Sequence, residues 1–367
     1  MNDRCDILIV GAGMAGASLA AELAGAGSVI VIEGEDRPGY HATGRSAAFW
    51  SETYGGPLVQ PLTTASGTFL RDGGFLGARG GLHIAGDADA HVIADLARGF
   101  GDAVDLRPLG RDDLIARIPG LKPQWRRGLL EPTCADIDVA ALHAHYLKSA
   151  ATAGARFVTG AGLRSAARAH GRWAVETAAG VFTADILVDA AGAWADEVAI
   201  AAGLAPIGIQ PFRRTMVQLR VDPAAPANLP LVIDALGRFY FKPEAGGRIW
   251  LSPHDETPCP PCDAAAEEID VATAIARLEA VVDWRIERVE HKWAGLRSFA
   301  PDRVPVYGFA PGRGDFFWFA GQGGFGIQTA PAAAKLGASL LLDRTSDPIV
   351  ASIDPEPYLP DRLQPRA

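Results

Sequence analysis

The sequence predicts an α/β fold in which a Rossmann-like nucleotide-binding unit is interleaved with a β-rich block. Three observations carry this. The chain opens on an apolar run, Ile7 to Val10, that breaks into Gly11, Gly13 and Gly16, continues as a helical stretch, and gives a second apolar run, Val29 to Ile32, ending at Glu33. Another strand, ILVDAAGAW, runs into Ala191, Gly192 and a helix, and a glycine turn from Gly321 to Gln328 opens the last helix. Between Pro211 and His291 the chain is β-rich, without internal repeat or low-complexity linker, so the units are interwoven rather than strung in series.

Each part of the first stretch has a physical task. Gly11 permits a tight turn, Gly13 lets the backbone approach a pyrophosphate, and Gly16 lets the helix pack closely on the strand. Ala12, Met14 and Ala15 complete a turn whose free N–H groups and positive helix end attract an anion. Glu33, followed by Gly34, lies about 20 residues past the first glycine, where a carboxylate accepts hydrogen bonds from a ribose diol.

The segment from Asp36 to Gly56, dense in Gly, Ser and Thr, reads as a long loop with one helical turn, and loops of this length in compact enzymes are usually functional. Helices are predicted over Leu58 to Leu70, Ala88 to Phe100, Arg111 to Ile118 (stopped by Pro119) and Ile137 to Ala153, with Asp136 or Asp138 as the cap of the last. Gly81 to Ala85 is a short strand. Runs near Arg156 to Val158, Gly162 to Arg168 and Trp173 to Glu176 suggest a small antiparallel layer. Strands follow at Met216 to Val221, Leu231 to Asp234, Arg238 to Lys242, Arg248 to Ser252, Val289 to Ser298, Val304 to Phe309 and Phe316 to Ala320. Ala265 to Val282 and Gln328 to Leu342 are helical, and the proline-bearing tail from Asp343 reads as loop.

With 367 residues, 49% hydrophobic and 21% charged, the chain has the composition of a soluble globular protein of two or three domains. A net charge of −9 leaves no footprint for a polyanion, which argues against nucleic acid. No apolar run approaches the roughly 18 residues of a membrane-spanning helix. The first strand begins too early to leave a removable signal, so cytoplasm is the default expectation. Four cysteines are too few for a disulfide framework. Cys259-Pro-Pro-Cys262 lacks a second ligand pair for zinc and a helix start for thioredoxin-like chemistry, and reads as a surface loop; no metal site is expected.

Eight blocks in order carry a resemblance: GAGMAGAS (11–18), PGYHATGRSAA (38–48), ADIDVAALH (135–143), LVDAAGAW (187–194), QPFRR (210–214), FYFKPEAG (239–246), HKWAGLRSF (291–299) and GQGGFGIQT (321–329). Together they resemble the D-amino acid oxidase superfamily of FAD enzymes, and within it the bacterial D-arginine dehydrogenases. The resemblance implies a Rossmann-like FAD-binding domain (1–80, 135–205 and 292–350) interleaved with an α+β substrate domain built on an antiparallel sheet (81–134 and 206–291), followed by a tail over 351–367. It implies non-covalent FAD, with Thr43, Gly44, Arg45, Ser46 and Ala47 wrapping the flavin and pyrophosphate. Ala191, Gly192 and Trp194 would pass close to the cofactor, and Gly321, Gly323, Gly324, Phe325, Gly326, Ile327 and Gln328 would aim N–H groups at the flavin's pyrimidine edge.

For the substrate, the resemblance points to Arg297 and Arg214, with Tyr240, as the holder of an α-carboxylate, a task suited to the planar guanidinium fork. Tyr54 would sit on a mobile lid, and Phe49, Gly81 and Ile233 would line the pocket. Two departures from D-arginine dehydrogenase stand out: Gly81 lies in the stretch where that enzyme has a carboxylate, and Phe49 replaces a histidine. The expectation is an FAD enzyme that oxidises a D-amino acid of apolar or aromatic side chain to the imino acid, which hydrolyses to 2-oxo acid and ammonia. A secondary amine (glycine- or sarcosine-like) or a 2-hydroxy acid is the alternative substrate. The electron acceptor is left open.

Overall fold

The computed structural model describes residues 3–345 and 347–363. Two large sheets organise it. In the first, eight-stranded sheet, Arg4–Val10 is flanked in parallel by Val29–Ile32 and by Gly180–Asp189, and Phe316–Ala320 joins the latter. These strands are almost continuously apolar because helices cover both faces. One face packs against Met14–Leu23 and Ala330–Leu342 through Ile7, Ile9, Leu19, Leu23, Phe317 and Phe319; the other buries Leu8, Val10, Leu187, Trp173 and Trp318.

The expected small antiparallel layer is a continuation of this sheet. Leu163–Ala169, Arg172–Thr177 and the start of Gly180–Asp189 form its antiparallel arm, whereas Arg156–Val158 pairs in parallel with Val29–Ile32 at the opposite edge. The β-rich signal was local and could not report which neighbour each strand would find.

The second, ten-stranded sheet is dominated by Gln210–Asp222 paired antiparallel with Arg285–Phe299. It continues through Arg248–Ser252, Tyr240–Glu244, Leu231–Asp234 and Gly81–Ala85 to Arg127–Glu131. Arg285–Phe299 runs across the expected domain boundary at 291/292 and belongs wholly to this sheet.

Because paired residues share a face and neighbours along a strand alternate, the register sorts this sheet into two surfaces. Val217, Leu251, Phe241, Val232, Leu82 and Ile84 face a core closed by Glu268–Glu279 and Arg111–Arg117. The opposite surface carries Arg297, Arg214, Met216, Tyr240, Ile233, His83, Gly81 and Glu131. It looks toward the first sheet, and the candidate site lies between them.

The tail is not simple loop. Val350 and Tyr358 are buried in the first domain's core, and the Tyr358 hydroxyl donates to the Leu58 carbonyl at 2.7 Å.

Candidate active site

A cavity of about 610 Å³ runs from the first glycine turn to the second sheet. Of the residues expected at a cofactor, Gly11, Gly13, Met14, Ala15, Glu33, Gly34, Thr43, Ser46, Ala191, Gly192, Trp194, Gly323, Gly324, Gly326 and Ile327 line it, and Arg297 closes its far end. Gly11 adopts φ +100°, and a Cβ there would lie 2.6 Å from the Ala190 carbonyl oxygen, so glycine is required twice over.

The donors suit an anionic dinucleotide. Met14 N–H donates to Thr43 Oγ1 (2.9 Å) and Ala12 N–H to Glu33 Oε2 (2.8 Å), while the N–H groups of Gly13 and Ala15 find no protein acceptor among the described residues. These free donors at a helix start are what a pyrophosphate needs. Glu33 Oε1 also accepts the Glu35 N–H at 3.1 Å, so the carboxylate that would meet a ribose is held rigid beforehand.

The other expected residues act behind the wall. Ala12 is fully buried, and its carbonyl accepts from His143 Nε2 at 2.9 Å. Gly16 abuts Gly11, and Gly44 abuts the Gly39 carbonyl. Arg45 turns away from the cavity and ties the loop to the second domain through the carbonyls of Ala264 (2.8 Å) and Ala294 (3.3 Å) and the Asp263 carboxylate. Ala47 joins the substrate-side cluster; Gly321 (φ +73°) shapes the turn; Phe325 packs on Phe299 and Tyr54. Gln328, 1% exposed, donates from Nε2 to the Tyr54 carbonyl (3.0 Å) and accepts the Ser51 N–H on Oε1 (3.1 Å).

Arg214, Tyr240 and Arg297 share one face of the second sheet, and Tyr54 approaches them from the turn after Phe49–Trp50. Arg214 is already committed: Nε donates to the Asp255 carbonyl at 2.8 Å and Nη2 meets Glu256 at 3.2 Å. Burial pulls its pKa down, but nearby Tyr54, Tyr240, Asp255 and Glu256 more than offset this. Arg297 is also buried and lies on the cavity wall, and its guanidinium has no ion pair or hydrogen bond to any described residue. Burial lowers its pKa, with Tyr240 and Tyr54 opposing. A desolvated guanidinium without a partner is a strong demand for a carboxylate.

Tyr240 and Tyr54, whose charges act on Arg297, belong to a cluster of rings. Phe49 lies 5.2 Å from Tyr54 and 5.9 Å from Tyr240, centroid to centroid, and Ile233 and Met216 complete the cluster. The Tyr240 hydroxyl meets Met216 Sδ at 3.2 Å, and its pKa is raised by burial against the pull of the two arginines. At Gly81 an added Cβ would meet Cys134 at 3.2 Å, so a side chain there would need Cys134 to yield by a few tenths of an ångström.

Three polar residues of this face were not anticipated. His254, with φ +54°, holds Nδ1 on the Gly237 carbonyl at 2.5 Å and stacks edge-on to Tyr240 at 5.6 Å; burial, with Arg214 adding, depresses its pKa to about 4. His83, in the apolar strand GLHIA, is held near 4 by burial, and its Nε2 meets Thr53 Oγ1 at 3.3 Å. Glu131, fully buried, accepts from Ser51 Oγ (2.9 Å), Thr53 Oγ1 (2.7 Å) and Glu52 N–H (2.6 Å), and burial raises its pKa against those three bonds. A lone polar residue inside the apolar strand GLHIA was the available signal for His83; Glu131, at the end of RGLLE, carried none.

Residues 6–340 match the family described as FAD dependent oxidoreductase, DAO. The chain belongs to this family. As a DAO-family protein it uses FAD, which the free donors of the first glycine turn and the shape of the cavity fit. A glycine oxidase of Pseudomonas aeruginosa is 29% identical over 98% of this chain and 99% of its own length; one of Pseudomonas putida is 31% identical over 51% of this chain and 48% of its own. Among solved structures, glycine oxidase from Geobacillus kaustophilus superposes with a TM-score of 0.85 at 23% identity, covering 97% of this chain and 98% of that one. L-proline dehydrogenase from P. horikoshii gives 0.84 at 21%, covering 99% and 98%. These likenesses to solved structures establish the fold. The P. aeruginosa relative, which matches across the chain, is thus a glycine oxidase rather than one of the D-arginine dehydrogenases that the eight sequence blocks resemble, which corrects the finer part of that expectation. Among the described residues no helix is long and apolar enough to cross a membrane.

Proposed function

We propose that the protein oxidises the α-carbon of a small amino acid or secondary amine bearing a carboxylate, with glycine and sarcosine as the substrate type. The carrying observation is Arg297, a buried cation on the cofactor-cavity wall without a protein anion, faced by rings already in mutual contact. Bound FAD supplies the acceptor for the hydride leaving the α-carbon. The chain's own residues bind and orient: Arg297 takes the carboxylate, Tyr240 and Tyr54 wall it in, and Arg214, pinned to Asp255 and Glu256, keeps the adjoining strand from relaxing into the space. The substrate loses its α-hydrogen and an amine proton, and the resulting imine takes up water to give the 2-oxo acid and the free amine.

The P. aeruginosa relative carrying the name glycine oxidase over its full length supports this substrate class. Ring contacts also support it: a bulky D-side chain would have to part Phe49 from Tyr54 or Tyr240. A small D-amino acid such as D-alanine is the second reading, favoured by the apolar Ile233 and Met216 beside those rings. Four unpaired cysteines support a cytoplasmic setting.

Anaerobic mixing of the yellow protein with glycine, sarcosine, D-alanine, L-alanine and glycolate tests the reading. Bleaching by glycine or sarcosine is expected; bleaching by glycolate alone would transfer the enzyme to the 2-hydroxy acids.

A further inference from the structure

Tyr54 is gripped from two sides. On the inner side, the turn 51–54 hangs on Glu131 through Ser51, Glu52 and Thr53, and Gln328 holds both the Ser51 N–H and the Tyr54 carbonyl. Glu131 comes from the second sheet and Gln328 from the end of the glycine turn beside the cofactor cavity, so the two domains meet at this turn. Beyond, the phenol ring lies against Phe49 and Phe325, and its hydroxyl rests on Gly324.

Gly324 is unlike its neighbours. Gly321 and Gly323 have φ of +73° and +54°, which side chains other than hydrogen resist. Gly324 has no such φ, so its backbone would accept alanine. A Cβ at Gly324 would nevertheless overlap the Tyr54 hydroxyl, with ring atoms Cζ and Cε1 further back at 3.0 and 3.4 Å. The three nearest protein atoms that such a Cβ would meet all belong to Tyr54.

We infer that Gly324 is a positioning residue whose bare α-carbon seats the Tyr54 hydroxyl, docking Tyr54 on the cofactor turn as a wall of the substrate compartment. The inference rests on the proposed amine-carboxylate reading only in its choice of ligand.

The test compares Gly324→Ala, Tyr54→Phe and the double variant. In the FAD-loaded proteins, glycolate is titrated against the absorbance of the bound flavin; separately, the melting midpoint of FAD-free protein is measured. Gly324→Ala is expected to weaken glycolate at least tenfold and to lower the midpoint by about 2 °C or more, as overpacking does. In the double variant the ring has to yield by only a few tenths of an ångström, so both values return to those of Tyr54→Phe, within threefold for glycolate. A Gly324→Ala protein that behaves as wild type, or a double variant no better than Gly324→Ala, overturns the inference. Should Gly324→Ala lose FAD, retention by the double variant supports the inference and loss by both refutes it. If the midpoints show the rescue but glycolate leaves the wild-type spectrum unchanged, the inference stands and the 2-hydroxy acid alternative falls.

Discussion

Arg214 and Arg297 lie on the same face of adjacent antiparallel strands, opposite Gly295 and Phe212 respectively, and only Arg214 has a carboxylate partner. Two buried guanidinium groups this close repel one another. Tying one to Glu256 and the Asp255 carbonyl leaves the other as a buried cation on the cavity wall with no ion pair among the described residues.

Arg297→Met is therefore expected to retain FAD and lose turnover. A buried charge pair deprived of one partner costs on the order of 3 to 5 kcal/mol, more than a hundredfold in kcat/KM. Arg297→Lys recovers only part, because an ammonium cannot match the bidentate fork. Flavin absorbance and steady-state rates of both variants check this; loss of flavin with activity would make Arg297 a folding residue.

FAD is expected to be held without a covalent bond. None of the cysteines lines the cofactor cavity among the described residues, and Cys259 and Cys262 pack behind Trp194 and Leu296 rather than beside the glycine turn. Acid precipitation should send all the yellow colour into the supernatant. Colour left on the pellet would contradict it.

The cofactor half of the site was readable because its demands fall on the backbone. A turn such as Gly11, with its left-handed φ and its contact with the Ala190 carbonyl, excludes other residues and so marks the sequence. The substrate half depends on which strands become neighbours. Nothing local to GLHIA or RGLLE says that His83 and Glu131 share a surface with Arg297; the parallel pairing of Gly81–Ala85 with Leu231–Asp234 decides that. The division of labour between Arg214 and Arg297 was equally hidden, since Asp255 and Glu256 lie some 40 residues away in a turn whose shape, with His254 left-handed, is a tertiary outcome.

Acid should weaken the fold partly through His83. Its pKa falls from 6.5 to about 4 on burial, so the unfolded chain binds more protons between those values and stability is lost as pH drops through that window. The shift corresponds to roughly 3 kcal/mol at most. Buried carboxylates with raised pKa, such as Glu131, act in the opposite sense, so the comparison must be made against a variant. His83→Asn keeps a polar group facing Thr53, and its urea-unfolding free energy should fall less steeply than wild type from pH 6.5 to 4.5. Parallel slopes would show that His83 titrates normally.

Substrate choice follows from how completely the acidic groups near the rings are occupied. D-arginine would need a carboxylate for its guanidinium. Glu52 is held by Thr64 and by Thr133 (3.1 Å), Asp87 lies outside with Arg126 and Arg127, and Glu131 is enclosed by three donors. Freeing Glu131 would release the turn that carries Tyr54. An unpaired buried guanidinium costs several kcal/mol, so kcat/KM for D-arginine should fall at least a hundredfold below that for glycine or sarcosine. D-alanine should lie between, since its methyl group meets Ile233 and Met216, and D-phenylalanine should be poor because it must separate Phe49 from its ring partners. Steady-state kinetics over these five compounds give the order. If D-arginine led it, Glu52 or Glu131 would have to leave its present donors to meet the guanidinium, and Glu52→Gln and Glu131→Gln would show which.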